Sequence, residues 1–245
     1  MSSVNFQNRR LQFFFLILLA GLISFRPAST PHTKILCYHA DLRTQELKLY
    51  WKDDQGKIFG SFQNLKNYLT KNDKTLIFAM NGGMYSKSQS PQGLYIENLK
   101  QLSPLDTASG NGNFYMRPNG VFGWTSDKKP FVCKTEDFGK LKNVAYATQS
   151  GPLLLIDGKI HSQLKEGSKN LNIRNGVGIL PNVKLLFAMS EKEINFYDFA
   201  MYFKNAGCKD ALYLDGFVSR CYLPEKNWLQ LDGNFGVIIG ITETK

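Results

Sequence analysis

The chain has 245 residues, 43% hydrophobic and 13% aromatic, and a formal charge of +10. That is enough apolar material to bury one sizeable core without a second domain. No internal repeat or low-complexity tract is present, and no helix-turn-helix, zinc-finger or RNA-recognition signature accompanies the positive charge, so nucleic acid is not an expected partner. Positive potential favours anionic glycans, sugar phosphates or anionic polymers; scattered lysines would equally serve solubility, because no block of five like charges occurs.

The first 28 residues read as an export signal. Arg9 and Arg10 precede an apolar run, 11–25, that ends at Pro27, Ala28 and Ser29. The run is shorter than the ~20 residues of a spanning helix, although an uncleaved anchor is the alternative and would be the chain's only link to a membrane. Cleavage removes Arg9, Arg10 and Arg26 and no acidic residue, so residues 29–245 form a single basic domain expected in the periplasm or outside the cell.

In that domain, 34–42 and 45–52 read as two strands joined as a hairpin through Arg43-Thr44. Residues 62–72 carry Phe62, Leu65 and Leu69 at helical spacing. The strand 75–80 runs straight into Asn81-Gly82-Gly83, and 93–98 continues the β pattern. Residues 114–124 read as a hairpin turned at Asn119-Gly120, and 152–161 as another turned at Asp157-Gly158. Strands 172–180 and 184–190 precede the clearest helix: Asn195 is a good N-cap, Phe196, Phe199, Ala200 and Phe203 share one face, and Gly207 supplies the stop. Strand 211–215 follows, and the apolar run 235–242 reads as a central strand. Strands outnumber helices without regular alternation, which predicts an α+β fold with a mixed, strand-rich central sheet and few helices packed on it.

Short polar motifs punctuate the strand ends: FAMNGGMY (78–85), RPNGVFGW (117–124), ATQSGPLLLIDGKIH (147–161), RNGVGI (174–179) and YLDGFVSR (213–220). Side chains on loops held by a rigid sheet are where sites usually form. Asp215 ends an apolar strand and is followed by Gly216, so a carboxylate stands at a tight turn open to close approach, a candidate nucleophile or base. An ordinary Asp-Gly turn is the rival explanation. Arg174 sits within a strand-like segment, where its fork suits two phosphate oxygens or a structural ion pair. Asn81 with Gly82 and Gly83 sets an amide beside backbone N–H groups able to turn toward an anion, or forms a plain turn.

Ser150, beside Gly151, and Ser219 offer hydroxyls, but neither lies in a Gly-x-Ser-x-Gly elbow. His32, His39 and His161 form no ligand cluster. The sequence requires no cofactor; a divalent cation between Asp215, Asn81 and phosphate oxygens would suit hard oxygen ligands. Glu97 is the best second carboxylate, though its place on a strand fits a surface residue as well. Cys37, Cys133, Cys208 and Cys221 match no metal or redox spacing, and three pairings are open to them. In an oxidising compartment Cys208–Cys221 is the favoured bridge, since it closes a loop around Asp215; buried free thiols are the alternative.

The motifs NGGMY, PNGVF, QSGPLLLIDG, RNGVGI and LDGFVS, in this order and over roughly residues 35–242, resemble the phosphodiester glycosidase family, whose bacterial members are often labelled exopolysaccharide-related. The resemblance implies hydrolysis of a sugar-1-phosphodiester, with Asp215, Arg174 and Asn81 catalytic and Gly82, Gly83, Asn119, Ser150, Gly151, Gly216 and Ser219 binding substrate. Arg174 matches the family's arginine ahead of the valine-glycine pair. Many members read LDGGGS, so Phe217 and Val218 replace two glycines here. A glycan-binding module of the same fold and a metal-assisted phosphodiesterase cutting the P–O bond are the other classes open to this sequence.

Overall fold

A computed structural model describes residues 34–215 and 218–244. The export-signal segment 1–28 and the pair Gly216 and Phe217 lie outside the described residues. In chain order the elements are β1 (Ile35–Ala40), β2 (Glu46–Tyr50), α1 (Phe62–Lys71), β3 (Lys74–Asn81), β4 (Tyr95–Glu97), β5 (Lys100–Ser103), β6 (Gly120–Thr125), β7 (Pro130–Lys134) and β8 (Val144–Ser150). They continue with β9 (Leu153–Ile156), β10 (Lys159–Ile160), β11 (Asn175–Ile179), β12 (Leu185–Ser190), α2 (Phe196–Asn205), β13 (Asp210–Tyr213), β14 (Cys221–Leu223), β15 (Trp228–Leu229) and β16 (Ile238–Thr244).

The strands build three sheets, ordered β1-β12-β11-β13-β9-β10, β15-β14-β3-β16-β2 and β5-β4-β8-β6-β7. Every pairing between these strands is antiparallel. The expected single mixed sheet is therefore corrected to three antiparallel ones, and the α content is small.

Alternation along the strands explains why the sheets share one core. On β12, Leu185, Phe187 and Met189 face the central cluster while Leu186 and Ala188 face α2. On β13, Leu212 faces the centre, and Ala211 and Tyr213 face outward. The central cluster draws on all three sheets, with Phe78 and Ile239 from one, Phe122 and Trp124 from another, and Phe187 and Leu212 from the third. Each helix then covers an outer face. Ser61 caps α1 by accepting from the Asn64 N–H, and Phe62, Leu65 and Leu69 are buried against Leu76, Ala79 and Ile238. Burying each of those three side chains contributes roughly 1.5–3 kcal/mol. Asn195 caps α2 in the same way, and Phe196, Phe199, Ala200 and Phe203 form its buried stripe.

Several expected elements stand: both helices, the β9–β10 hairpin through Asp157-Gly158, and β16 inside its sheet between β3 and β2. The expected hairpin of the first two strands does not. The chain does turn at 41–45, where the Asp41 carbonyl accepts the Thr44 and Gln45 N–H groups. Yet β1 then pairs with β12 and β2 with β16, in different sheets. Each strand buries an apolar face more fully in a many-stranded sheet than in a two-stranded ribbon.

Asn119-Gly120 is likewise no hairpin turn. Residues 113–115 form a 3-10 turn, Gly120 opens β6, and a Cβ there would lie 2.6 Å from the Cys133 carbonyl oxygen. Close strand packing, not a turn, calls for that glycine. The favoured Cys208–Cys221 bridge is absent, since all four cysteines are free thiols. Cys208 packs with α2 and Cys221 lies in the central core, so the sheet separates them.

Glu46 locks the edge strand β2. Its carboxylate accepts Lys74 Nζ at 2.6 and 2.8 Å and Thr242 Oγ1 at 3.0 Å, and it pairs with Lys48 at 2.9 Å. Burial opposes its ionisation, but the bonds from Lys74, Lys48 and Thr242 outweigh burial and hold the carboxyl at about 2. A carboxyl lowered on folding contributes stability that is complete above the ordinary pKa of about 4.3 and is lost as pH falls toward the folded value. Glu46→Gln should therefore be less stable than the parent in urea at pH 7, with the gap closing between about pH 5 and pH 2. A gap that stayed constant over that range would contradict this account.

Candidate active site

The ends of strands from different sheets meet at Asp215. β13 stops at Tyr213, and the chain continues through Leu214 into Asp215, beside the first residue of β11, Asn175, and the last of β3, Asn81. The Asn175 side chain joins them. Its Nδ2 donates to the Asn81 carbonyl at 2.9 Å and to Asn81 Oδ1 at 3.0 Å, while its Oδ1 accepts the Asp215 N–H at 2.9 Å. Asn81 Oδ1 also accepts the Arg220 N–H at 2.9 Å, so both its donors identify that atom as oxygen. The Ser219 hydroxyl closes the loop by bonding the Asp215 carbonyl at 2.7 Å and the Ile173 carbonyl at 3.1 Å. From the third sheet the Ser150 hydroxyl donates to the Leu214 carbonyl. Asn81, Asn175, Ser150 and Ser219 are all buried.

Asp215 is 7% exposed and lines a cavity of about 400 Å³ together with Met84, Tyr85, Ser86, Lys87, Gln92, Val218 and Asn234. It is the only carboxylate among those lining residues. Tyr85 is half-buried beside it. Burial, and then the Asp215 carboxylate, push its phenol up to about 12, so it is a neutral hydrogen-bond donor at any ordinary pH. Gly236 makes room for that ring, because a Cβ there would come within 2.6 Å of the Tyr85 Cβ.

The outer wall is a tight loop, 84–92. Gln92 N–H bonds the Met84 carbonyl, Ser86 N–H bonds the Ser90 carbonyl, and Gln89 takes φ 59° at the turn. Two long-range bonds fix its position: Trp51 Nε1 donates to the Gln89 carbonyl at 2.9 Å, and Gln89 Nε2 donates to Asn234 Oδ1 at 2.7 Å.

Of the residues singled out in the sequence, Asp215 and Val218 line the cavity, Asn81, Ser150 and Ser219 hold the turn that carries Asp215, and the others described pack elsewhere. Gly82 and Gly83 are needed for packing: a Cβ would lie 2.9 Å from Val237 Cγ1 at the first and 2.4 Å from the Gln149 carbonyl oxygen at the second. Asn119 Nδ2 donates to the Phe114 carbonyl, and Gly151 packs against that same carbonyl and the Asn119 Cβ. Gly216 lies outside the described residues. Glu97 is absent from the cavity lining and accepts the Tyr95 hydroxyl at 2.8 Å.

Arg174 is fully buried and is not among the lining residues. Its Nε donates to the Ile194 carbonyl at 2.8 Å, and its Nη2 donates to the Asn170 carbonyl at 2.8 Å and to Asn170 Oδ1 at 3.2 Å. Its guanidinium lies 3.5 Å over the Phe196 ring. Burial pushes its pKa below the ordinary arginine value, and Tyr213 offsets part of that effect.

Sequence reasoning passes over Tyr85, Lys87 and Asn234. Tyr85 at least closes the FAMNGGMY motif, but Lys87 lies in a run of small polar residues that reads as any exposed loop.

A family model described as phosphodiester glycosidase matches residues 74–233. The uncharacterized protein YigE of Escherichia coli (strain K12) is 38% identical over 196 residues, spanning 80% of this chain and 76% of that protein. The zebrafish N-acetylglucosamine-1-phosphodiester alpha-N-acetylglucosaminidase catalytic domain, solved in a form auto-inhibited by its pro-peptide, superposes with a TM-score of 0.59 at 14% identity, over 88% of this chain and 85% of that one. A hypothetical protein from Synechocystis gives a TM-score of 0.57 at 11% identity over 85% of this chain and 59% of its own. These two structures share the fold.

Removing the central amide tests how the site is held. Asn175→Ala leaves the buried Asp215 N–H and the Asn81 carbonyl without their partner, which should destabilise the fold by about 2–4 kcal/mol in urea denaturation. A loss below about 0.5 kcal/mol, the level of an exposed substitution, would show that the amide is not needed there.

Proposed function

The chain belongs to the phosphodiester glycosidase family, and from that premise we propose that it hydrolyses the bond between a sugar's anomeric carbon and a phosphodiester oxygen, with Asp215 as the base. The observation that carries this reading is one buried carboxylate, backed by three sheets, on the wall of a cavity of about 400 Å³ that also presents a phenol, amides and a lysine.

The chemistry balances with that one carboxylate. Water attacks the anomeric carbon, its proton passes to Asp215, and a new C–O bond forms. The old bond from that carbon to the bridging oxygen breaks, and its electron pair leaves with the phosphate as a monoester anion. Glycosidases usually need a second carboxyl group to protonate a poor leaving group. A phosphate is a stable anion without that help, so a hydrogen bond or a cation near its oxygens is sufficient. Tyr85, neutral and next to Asp215, supplies a hydrogen bond to the sugar or the departing oxygen. Displacement by water in one step inverts the anomeric centre.

Asn81 and Arg174 enter this proposal as positioning residues. Asn81 holds the Asn175 amide and the Arg220 backbone on either side of the Asp215 turn. Arg174 clamps the segment before β11 to the loop ahead of α2. The sugar is proposed by analogy with the zebrafish relative as an N-acetylhexosamine, and the aglycone as the rest of a phosphorylated glycan or surface polymer. The proposal includes action outside the cytoplasm, supported by the basic and then apolar composition of residues 1–28.

The test is turnover on a panel of sugar-1-phosphate diesters, with product anomers followed by NMR. Asp215→Asn should lower kcat by about 10²- to 10⁴-fold with the fold intact. Tyr85→Phe should lower kcat while leaving the shape of the pH profile between pH 5 and 9 unchanged, because a phenol raised to about 12 does not titrate there. Near-normal turnover by Asp215→Asn, or product with retained configuration, would refute the assigned role.

A further inference from the structure

An enzyme that sets a carboxylate against a substrate that is itself anionic needs a compensating cation, and the cations around Asp215 are not equivalent. Arg174 is fully buried, with Nε and Nη2 held by main-chain carbonyls and its plane stacked on Phe196. Arg220 is neutralised by Asp232, whose two oxygens accept its Nε at 3.2 and 3.1 Å, while its Nη1 donates to the Ser219 carbonyl. Lys87 alone among these three lines the cavity. It is exposed and has no ion pair or hydrogen bond from its ammonium group within the described residues. Its backbone is nevertheless fixed, since the loop that carries it is anchored at Gln89 by Trp51 and Asn234.

We propose that Lys87 reads the negative charge of the leaving group, making the site selective for glycosides of anionic phosphodiesters over uncharged glycosides of the same sugar. The inference rests on the function proposed above and extends it to a specificity-determining residue that the motifs do not contain. A lysine suits this role, because its ammonium is a compact point charge on a flexible stem, able to follow a phosphate whose far substituent varies. Asp215 in the same cavity repels an approaching diester, and Lys87 on the loop wall offsets that repulsion before the anomeric carbon reaches the carboxylate. Ser86, next to it on the wall, has its hydroxyl bonded to Ser88 within the same loop.

The probes are C-glycosyl phosphonates of glucose, galactose and N-acetylglucosamine, in which a carbon replaces the scissile oxygen, prepared as charged monomethyl esters and as uncharged dimethyl esters. Binding to the full-length chain is measured by calorimetry at low and high salt. The unsubstituted protein should bind at least one charged ester, and more tightly than its uncharged counterpart. Lys87→Gln should weaken the charged ester about 10- to 100-fold, the range of one charge-assisted hydrogen bond, shift the uncharged ester by less than about threefold, and lose most of the salt dependence. Lys87→Arg should restore charge preference. Equal loss for both esters, an unchanged charged-ester affinity in Lys87→Gln, or no binding of any charged ester would overturn the proposal. Charge-selective binding through Lys87 without hydrolysis of the corresponding oxygen-linked diester would instead sustain this inference and refute the glycosidase reading.

Discussion

One side-chain amide holds the functional end of this molecule together. Asn175 donates to both oxygens of Asn81 and accepts from the backbone of Asp215, so a residue of β11 ties the end of β3 to the turn after β13. The apolar core alone could not do this. It brings the three sheets to the same distance through non-directional packing, but it does not determine which residue at a strand end meets which. Hydrogen bonds in a buried site have direction, and leaving one unmade is costly, so the amide converts three converging strand ends into one geometry. Ser219 and Ser150 add bonds to the carbonyls on either side of the same turn, which secures the backbone of Asp215 from both directions.

The chemistry then follows from what that geometry leaves available. Asn81 Oδ1, the Asn175 amide and the Ser150 and Ser219 hydroxyls are all bonded around the Asp215 turn, which accounts for the positions of Asn81, Ser150 and Ser219 behind the cavity wall. The cavity wall in front of Asp215 is a different set, carried mainly on the loop 84–92 and at Asn234. The two sets are distinct: the sheet ends hold the Asp215 backbone, and an anchored loop supplies most of the side chains that line the cavity.

Local signals in the sequence match local structure well. The phenylalanine stripe of α2, its Asn195 cap, the Asp157-Gly158 turn and the emergence of Asp215 from an apolar strand all depend on residues within a few positions of one another. The features that differ depend on distant partners. Backbone donors carry no address, so nothing in 34–52 indicates that its two strands leave for different sheets. Gly120 resembles a turn residue because glycine serves both turns and close packing, and only the neighbouring strand reveals which. Arg174 is legible as a charge that needs partners, but two of its bonds go to the main-chain carbonyls of Ile194 and Asn170, which have no signature of their own. Lys87 is invisible for the opposite reason: an exposed lysine among serines acquires meaning only when the fold sets it on the same cavity as Asp215.

The central claim is that Asp215 drives attack at carbon, not at phosphorus. The most direct measurement is hydrolysis of a sugar-1-phosphodiester in oxygen-18 water, with the label located by mass spectrometry in the two products. Attack at the anomeric carbon delivers the label to the sugar and none to the phosphate monoester, and that is the expected result. Label in the phosphate would mean that the P–O bond is the one broken, and the role assigned to Asp215 would be wrong.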